Sequence, residues 1–340
     1  MKLKNTTFEY VWGQSGIQGF FGEGDEYPHH KLYKFLFGWW GWSFKGMTFV
    51  AKTTSWEPRI YPEVSNTALK DGYKLKQWFP ASIWWTFFSI ISGYLLNAMG
   101  IPTPGAMYLF YLNKWQKRED SFQLSFMAMK STLEEKLEEV KEYAMLLSKK
   151  LPRESHKYGI QINFSCPNTG HEQSMAALKD WKVIIDCFRF YLSEVPIICK
   201  LDLTVEPEIV SRLHPYCDGI VIGNTIPFQK IAKFVRWGKY FPGHKSPLAK
   251  KFGDNFKGGL SGKPLFPVLV HWLERMEKYD PTVTIIAGGG IMKKKDIDRL
   301  AEFRCVKAIA LGSVAITRPW RMKALIEHGN KIFQLKNKAV

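Results

Sequence analysis

Eight short β-forming runs recur along the chain, with helical patterns between most of them. Six follow residue 120, at 122–128, 159–165, 195–201, 218–224, 282–290 and 306–313, and two precede it, at 11–16 and 47–52. Most are apolar on consecutive residues rather than alternate ones. That suits strands covered on both faces, as in a parallel sheet whose crossover helices lie outside it. Helices are expected from 131 to about 150 and at 174–193, 206–213, 264–278, 293–302 and 318–336. The S-T-L-E at 131–134 has the form of a capping box opening the first of these. Eight such units in 340 residues predict an α/β chain folded as a (β/α)₈ TIM barrel of parallel strands. An open doubly wound sheet is the other arrangement that the alternation allows.

The polar residues fall where a barrel would gather them. Lys52, Ser165, Cys166, Asn168, Lys200, Asn224, Thr225, Gly288 to Gly290, Gly312 and Ser313 all sit at or just beyond the ends of expected strands. In a barrel those ends converge on one face. The stretch Q-I-N-F-S-C-P-N-T-G at 161–170 crowds hydrogen-bonding groups around one thiol. Alone it could be a turn, with the thiol as a small hydrophobe. Recurrence at six strand ends favours catalysis. A-G-G-G-I at 287–291 and L-G-S at 311–313 end the last two strands, where barrels often hold a phosphate on backbone amides. With a third cluster, G-G-L-S-G at 258–262, they point to a phosphate-bearing cofactor. No G-x-G-x-x-G opens a Rossmann unit, which favours flavin mononucleotide (FMN) over a dinucleotide.

The five cysteines, 166, 187, 199, 217 and 305, show no zinc or cluster spacing, and no metal site is expected. Without a signal peptide they read as reduced thiols in a cytoplasm, and the four besides Cys166 as small buried hydrophobes. His29, His30 and His171 read as ordinary polar residues. The 48 basic and 31 acidic residues leave a net charge of +17, which draws anions without choosing among nucleic acid, acidic lipid and small acids.

The ordered set V-A-K-T (50–53), N-A-M-G-I-P (97–102), N-F-S-C-P-N (163–168), I-C-K-L (198–201), G-N-T (223–225), G-G-L-S-G-K-P (258–264) and A-G-G-G-I (287–291) resembles the dihydroorotate dehydrogenase family from about residue 8 to 325. The resemblance implies one FMN-binding domain over 1–340 that oxidises dihydroorotate to orotate in pyrimidine biosynthesis. It implies Cys166 as the base, with Lys52 reaching both flavin and substrate. Asn97, Asn163, Asn168, Asn224 and Thr225 would bind the substrate. Ser15, Gly16, Lys52, Asn163, Lys200, Gly259, Gly262, Gly289, Gly290, Gly312 and Ser313 would hold the cofactor, with Lys200 beside the flavin edge that gains charge on reduction. A homodimer is expected, and no nucleic-acid partner.

One segment departs from the family. Lys52 and Asn97 are 45 positions apart, about twice the family's spacing, and residues 77–113 carry no charged side chain. The hydrophobic insertion at 77–96 could be extra core, an oligomer interface, or an aromatic patch that meets a membrane together with Trp39, Trp40 and Trp42. The electron acceptor stays open among fumarate, NAD through a partner subunit, and quinone. A cytoplasmic protein with peripheral membrane contact is the expectation. Two rival functions are a dihydrouridine synthase acting on tRNA and a non-catalytic flavin barrel at a membrane surface. Ser165 where the former family has glycine, and the complete asparagine set, weigh against them.

Overall fold

The eight strands form one parallel sheet, and its order around the ring is that of a closed barrel. In the computed structural model, which describes residues 1–22, 27–59, 69–70, 73–75, 83–84, 86–153, 156–165 and 173–338, they are β1 (Val11–Gly13), β2 (Phe49–Val50), β3 (Phe122–Phe126), β4 (Tyr158–Asn163), β5 (Ile197–Asp202), β6 (Gly219–Asn224), β7 (Ile285–Gly288) and β8 (Val306–Leu311). Neighbours run β1-β8-β7-β6-β5-β4-β3-β2. The seam between β1 and β2 is closed by a parallel bridge from Trp12 to Thr48. There Gly13 donates to the Thr48 carbonyl at 3.0 Å, and Thr48 donates to that of Val11 at 2.9 Å.

The consecutive apolar residues serve two cores. Trp12, Val50, Ile198, Val221, Ile286, Ala308 and Ala310 meet inside the ring, joined by Met1, Leu3 and Phe8 of an amino-terminal hairpin (Lys2–Leu3 with Thr6–Thr7) that plugs one end. Their alternates, among them Val11, Phe49, Cys199, Ile220, Ile285 and Ile309, join the larger core beneath the helices. Period-two alternation therefore fixes which side chains reach the site. Two residues beyond the inward Val50 and Ile198 stand Lys52 and Lys200.

The helices include α1 (Pro28–Phe37), α2 (Phe87–Ser92), α3 (Leu133–Lys150), α4 (Met175–Tyr191), α5 (Pro207–Leu213), α6 (Phe266–Tyr279), α7 (Lys294–Ala301), α8 (Val314–Thr317) and α9 (Met322–Lys338), with further short helices at Ala106–Tyr111, Trp237–Tyr240 and Pro247–Phe252 and several single turns between. The capping box of α3 lies one residue later than expected. Thr132 accepts from the Glu135 amide at 3.3 Å, and the Glu135 carboxylate accepts from the Thr132 amide at 3.2 Å. Cys199, Cys217 and Cys305 are buried as expected, whereas Cys187 is only half-buried on α4.

The described part of the insertion builds a lid sheet over the barrel mouth. Ile83–Trp84 pairs with Tyr94–Asn97, which pairs with Gly259–Gly262, which pairs with Ile226–Pro227, all antiparallel. Between the first two, α2 starts at a Thr86/Ser89 capping box and ends at Gly93 in the left-handed region. Tyr94 and Leu96 are core, and Trp84 packs on Tyr94 and Phe241. Positions 78–82 and Trp85 lie outside the described residues. Trp42, expected in an exposed patch, is instead buried between His30, Tyr33 and Phe44.

Candidate functional site

A cavity of about 240 Å³ opens at the carboxyl-terminal ends of the strands, under the lid sheet. Ser15, Gly16, Lys52, Asn97, Asn163, Lys200, Asn224, Thr225, Gly262, Gly289, Gly290, Gly312 and Ser313 all line it. Of the expected residues, Gly259 does not. It is held in the lid sheet opposite Asn97 and Pro227, two residues before Ser261, where the strand reaches the cavity wall. Cys166, Asn168 and His171 lie outside the described residues.

A belt of hydrogen bonds ties six strand ends together. The Ser15 and Thr53 hydroxyls meet at 2.7 Å, and Thr53 meets the Ser125 hydroxyl at 2.8 Å. Asn163 donates to Thr53 Oγ1 at 3.5 Å. The Asn224 amide donates to Asn163 Oδ1 at 3.2 Å, to the Ser165 carbonyl at 2.9 Å and to its hydroxyl at 3.0 Å. Ser165 donates in turn to the Lys200 carbonyl at 3.3 Å. Asn224 Oδ1 accepts from the Thr225 amide at 3.0 Å. Side chains this constrained present fixed donors and acceptors to whatever enters.

The electrostatics are one-sided. Lys52 is 9% exposed and Lys200 5%, and no carboxylate lines the cavity among the described residues. Lys52 lies over the Phe20 ring at 4.6 Å and donates to the Pro102 carbonyl. That carbonyl follows Ile101, whose φ of +62° is a conformation β-branched residues rarely adopt. Two buried ammonium groups on one cavity wall favour an anionic ligand.

The glycines form the far wall. Gly289 and Gly290 have φ of +112° and +80°, in the region open to glycine. A Cβ on Gly290 would sit 2.6 Å from the Phe266 amide nitrogen. At Gly288 and Gly312 the reason for glycine is Gln14. A Cβ at Gly288 would lie 2.3 Å from Gln14 Nε2, and one at Gly312 would lie 3.1 Å from Gln14 Cγ. Nε2 of Gln14 is buried and has no hydrogen-bond partner among the described residues, although Gln14 lines the cavity. An FMN suits this donor set: glycine amides and an unused amide N–H for a phosphate, buried cations for a ring that gains charge.

Gln14, Thr53 and Ser125 were missed in the sequence. Gln14 and Thr53 stood within strand-end stretches already singled out, and Ser125 follows the inward Gln123 by two. His29 and His30 pack with Tyr27 and Tyr33 in an aromatic cluster, where burial lowers their pKa values to about 4 and about 3 and keeps both rings neutral.

The sequence model of the dihydroorotate dehydrogenase family matches residues 86–305. That span contains Asn97, Asn163, Lys200, Asn224 and Gly290, while Lys52, Gly312 and Ser313 lie outside it. The dihydroorotate dehydrogenase B (NAD(+)) catalytic subunits of Thermotoga petrophila and Thermotoga maritima are each 27% identical to the chain over 225 residues, which is 64% of this chain and 71% of theirs.

Proposed function

Because the chain belongs to the dihydroorotate dehydrogenase family, we propose that its cavity binds FMN and oxidises dihydroorotate to orotate, a step of pyrimidine biosynthesis. The observation that carries this reading is the convergence of Asn97, Asn163 and Asn224 with Lys52 and Lys200 on one cavity. Dihydroorotate is a ring of alternating N–H and C=O groups bearing a carboxylate. Side-chain amides donate and accept, so they match such an edge in both directions. Asn97, Asn163, Asn168, Asn224 and Thr225 hold the ring, and Lys52 supplies counter-charge for the carboxylate.

Oxidation removes a proton from one ring carbon and a hydride from its neighbour. Cys166 Sγ, as thiolate, takes the proton. FMN, when bound, supplies the hydride acceptor at its N5 atom. Lys200 is a fixed cation that favours the charge arriving with the hydride. Ser15, Gly16, Gly262, Gly289, Gly290, Gly312 and Ser313 hold the cofactor through backbone and hydroxyl groups. The two relatives are named as NAD(+)-dependent catalytic subunits, which supports NAD, reached through a partner subunit, as the electron acceptor here.

The test is anaerobic. Dihydroorotate should bleach the visible absorbance of the FMN-loaded protein within seconds, and RNA containing dihydrouridine should not. Bleaching by the RNA alone would transfer the assignment to tRNA modification. An undimmed flavin with both would remove the catalytic reading.

Gln14 makes a separate prediction. A hydrogen bond to a charged group contributes about 1.5–3 kcal/mol, so Gln14→Leu should weaken FMN binding by about tenfold or more. Riboflavin, which lacks the phosphate, should bind the variant and the parent alike in fluorescence-quenching titrations. Equal losses for both flavins would show that Gln14 serves only the shape of the wall.

A further inference from the structure

We infer that the barrel face formed by α1, residues 39–40, residues 318–321 and α2 is a docking surface for an anionic lipid bilayer. The inference is independent of the reaction assigned to the cavity.

The face is apolar and open to solvent. The inner side of α1 packs His30, Tyr33 and Phe37 against Trp42, Phe44 and Trp320. Its outer side leaves Leu32, Phe35 and Leu36 exposed, and the turn after it exposes Trp39 and Trp40. Phe35 is 82% exposed and Trp39 83%, unusual values for large apolar side chains. The patch continues across the chain. The Phe37 ring lies 5.8 Å from both Trp40 and the partly exposed Trp320. Two residues before Trp320, Arg318 donates to the Ile91 carbonyl at 2.6 Å, which joins α2 to the same face. There Phe87, Phe88 and Ile91 are exposed, Phe87 by 79%.

Charge decides the occupant. Lys31, Lys34, Lys45 and Lys323 are exposed around these rings, with Arg318 and Arg321 half-buried among them. No Asp or Glu occurs between residues 27 and 56, 86 and 118, or 303 and 326. A second copy of the chain on a two-fold axis would set these cations against their own images, which repels. An anionic bilayer instead attracts every one of them, while its headgroup region accepts Trp and Phe rings. Among the described residues no helix is long and apolar enough to cross a membrane, so the contact is interfacial.

The experiment uses the full FMN-loaded chain with phosphatidylglycerol/phosphatidylcholine vesicles and with phosphatidylcholine alone. Co-sedimentation is expected with the first at low salt, is expected to fall as salt rises, and is not expected with the second. The combined variant Trp39→Ser, Phe87→Ser, Phe88→Ser should lose about tenfold or more in partitioning, because each ring removes apolar area from water on docking. Its flavin content should stay normal, since none of the three lines the cavity. Phe190→Ser is the control, an equally exposed ring at the far end of α4. No binding to anionic vesicles overturns the inference, as does equal loss in the Phe190 control. Vesicle-independent dimers that the triple variant dissolves would assign the face to a second copy and overturn it as well.

Discussion

Cys166→Ser should slow flavin reduction by dihydroorotate about 10²–10⁴-fold near neutral pH, the usual cost of losing a general base. An alcohol is a far weaker acid than a thiol, whose unperturbed pKa is about 8.5. At neutral pH the parent thus holds a useful fraction of thiolate, whereas serine holds almost no alkoxide. In the proposed reaction the thiolate is the reactive form, so the parent's rate should rise with pH and level off above the thiol's pKa. The serine variant should lack that limb. Orotate affinity, read from the perturbation of the flavin spectrum, should change little, because the asparagines and Lys52 remain. Anaerobic stopped-flow reduction across neutral to mildly alkaline pH gives both readings. A variant as fast as the parent would remove Cys166 from the chemistry.

The second large effect is structural. At the end of β6, Gly223 has φ of +129°, and a Cβ there would lie 2.0 Å from the carbonyl oxygen of Gly288 on β7. Gly223→Ala must therefore adopt a strained backbone and also force two paired strands apart. Each of these costs about 1–3 kcal/mol, and together they suggest a loss of about 2–6 kcal/mol. The damage falls between Asn224 and Gly289, so flavin retention should fail along with stability. Gly243→Ala is the matched control. Its φ is +70°, but nothing lies within 4 Å of the added methyl, so only the backbone term of about 1–2 kcal/mol applies. Urea midpoints of the two variants separate the terms. Similar midpoints would mean that β6 and β7 yield more easily than their geometry implies.

The barrel was legible because strands covered on both faces need consecutive apolar residues, and each of the eight runs became a strand of the ring. The shifted cap of α3 has a simple cause. S-T-L-E at 131–134 and T-L-E-E at 132–135 carry the same capping signature one residue apart, and only the packing of α3 selects between them. The insertion was illegible in another way. Trp, Phe and Ile suit a lid strand, a core and an exposed face equally, so composition could not show that Tyr94 and Leu96 are core while Phe87 and Phe88 face solvent. Trp42 was drawn into the exposed group by nearness to Trp39 and Trp40, although it turns inward onto His30. Lys52, Lys200 and Asn224 were readable from strand ends, whereas Asn97 and Asn163 came only with the family resemblance. Gln14 was not readable, because the notch it fills exists only once Gly288 and Gly312 stand side by side.

The belt from Ser15 to Asn224 also constrains how this site can change over generations. Asn163 and Asn224 hold each other, and through Thr53 and Ser165 they hold hydroxyls and carbonyls on their neighbours. Replacing one amide leaves its partners misdirected as well, so substitutions along the belt are strongly epistatic. A changed pattern of donors and acceptors in the cavity would require several coordinated replacements, each harmful alone. The lid sheet and the aromatic face make no such demand, and lineages can diversify there while the amides of the belt stay fixed.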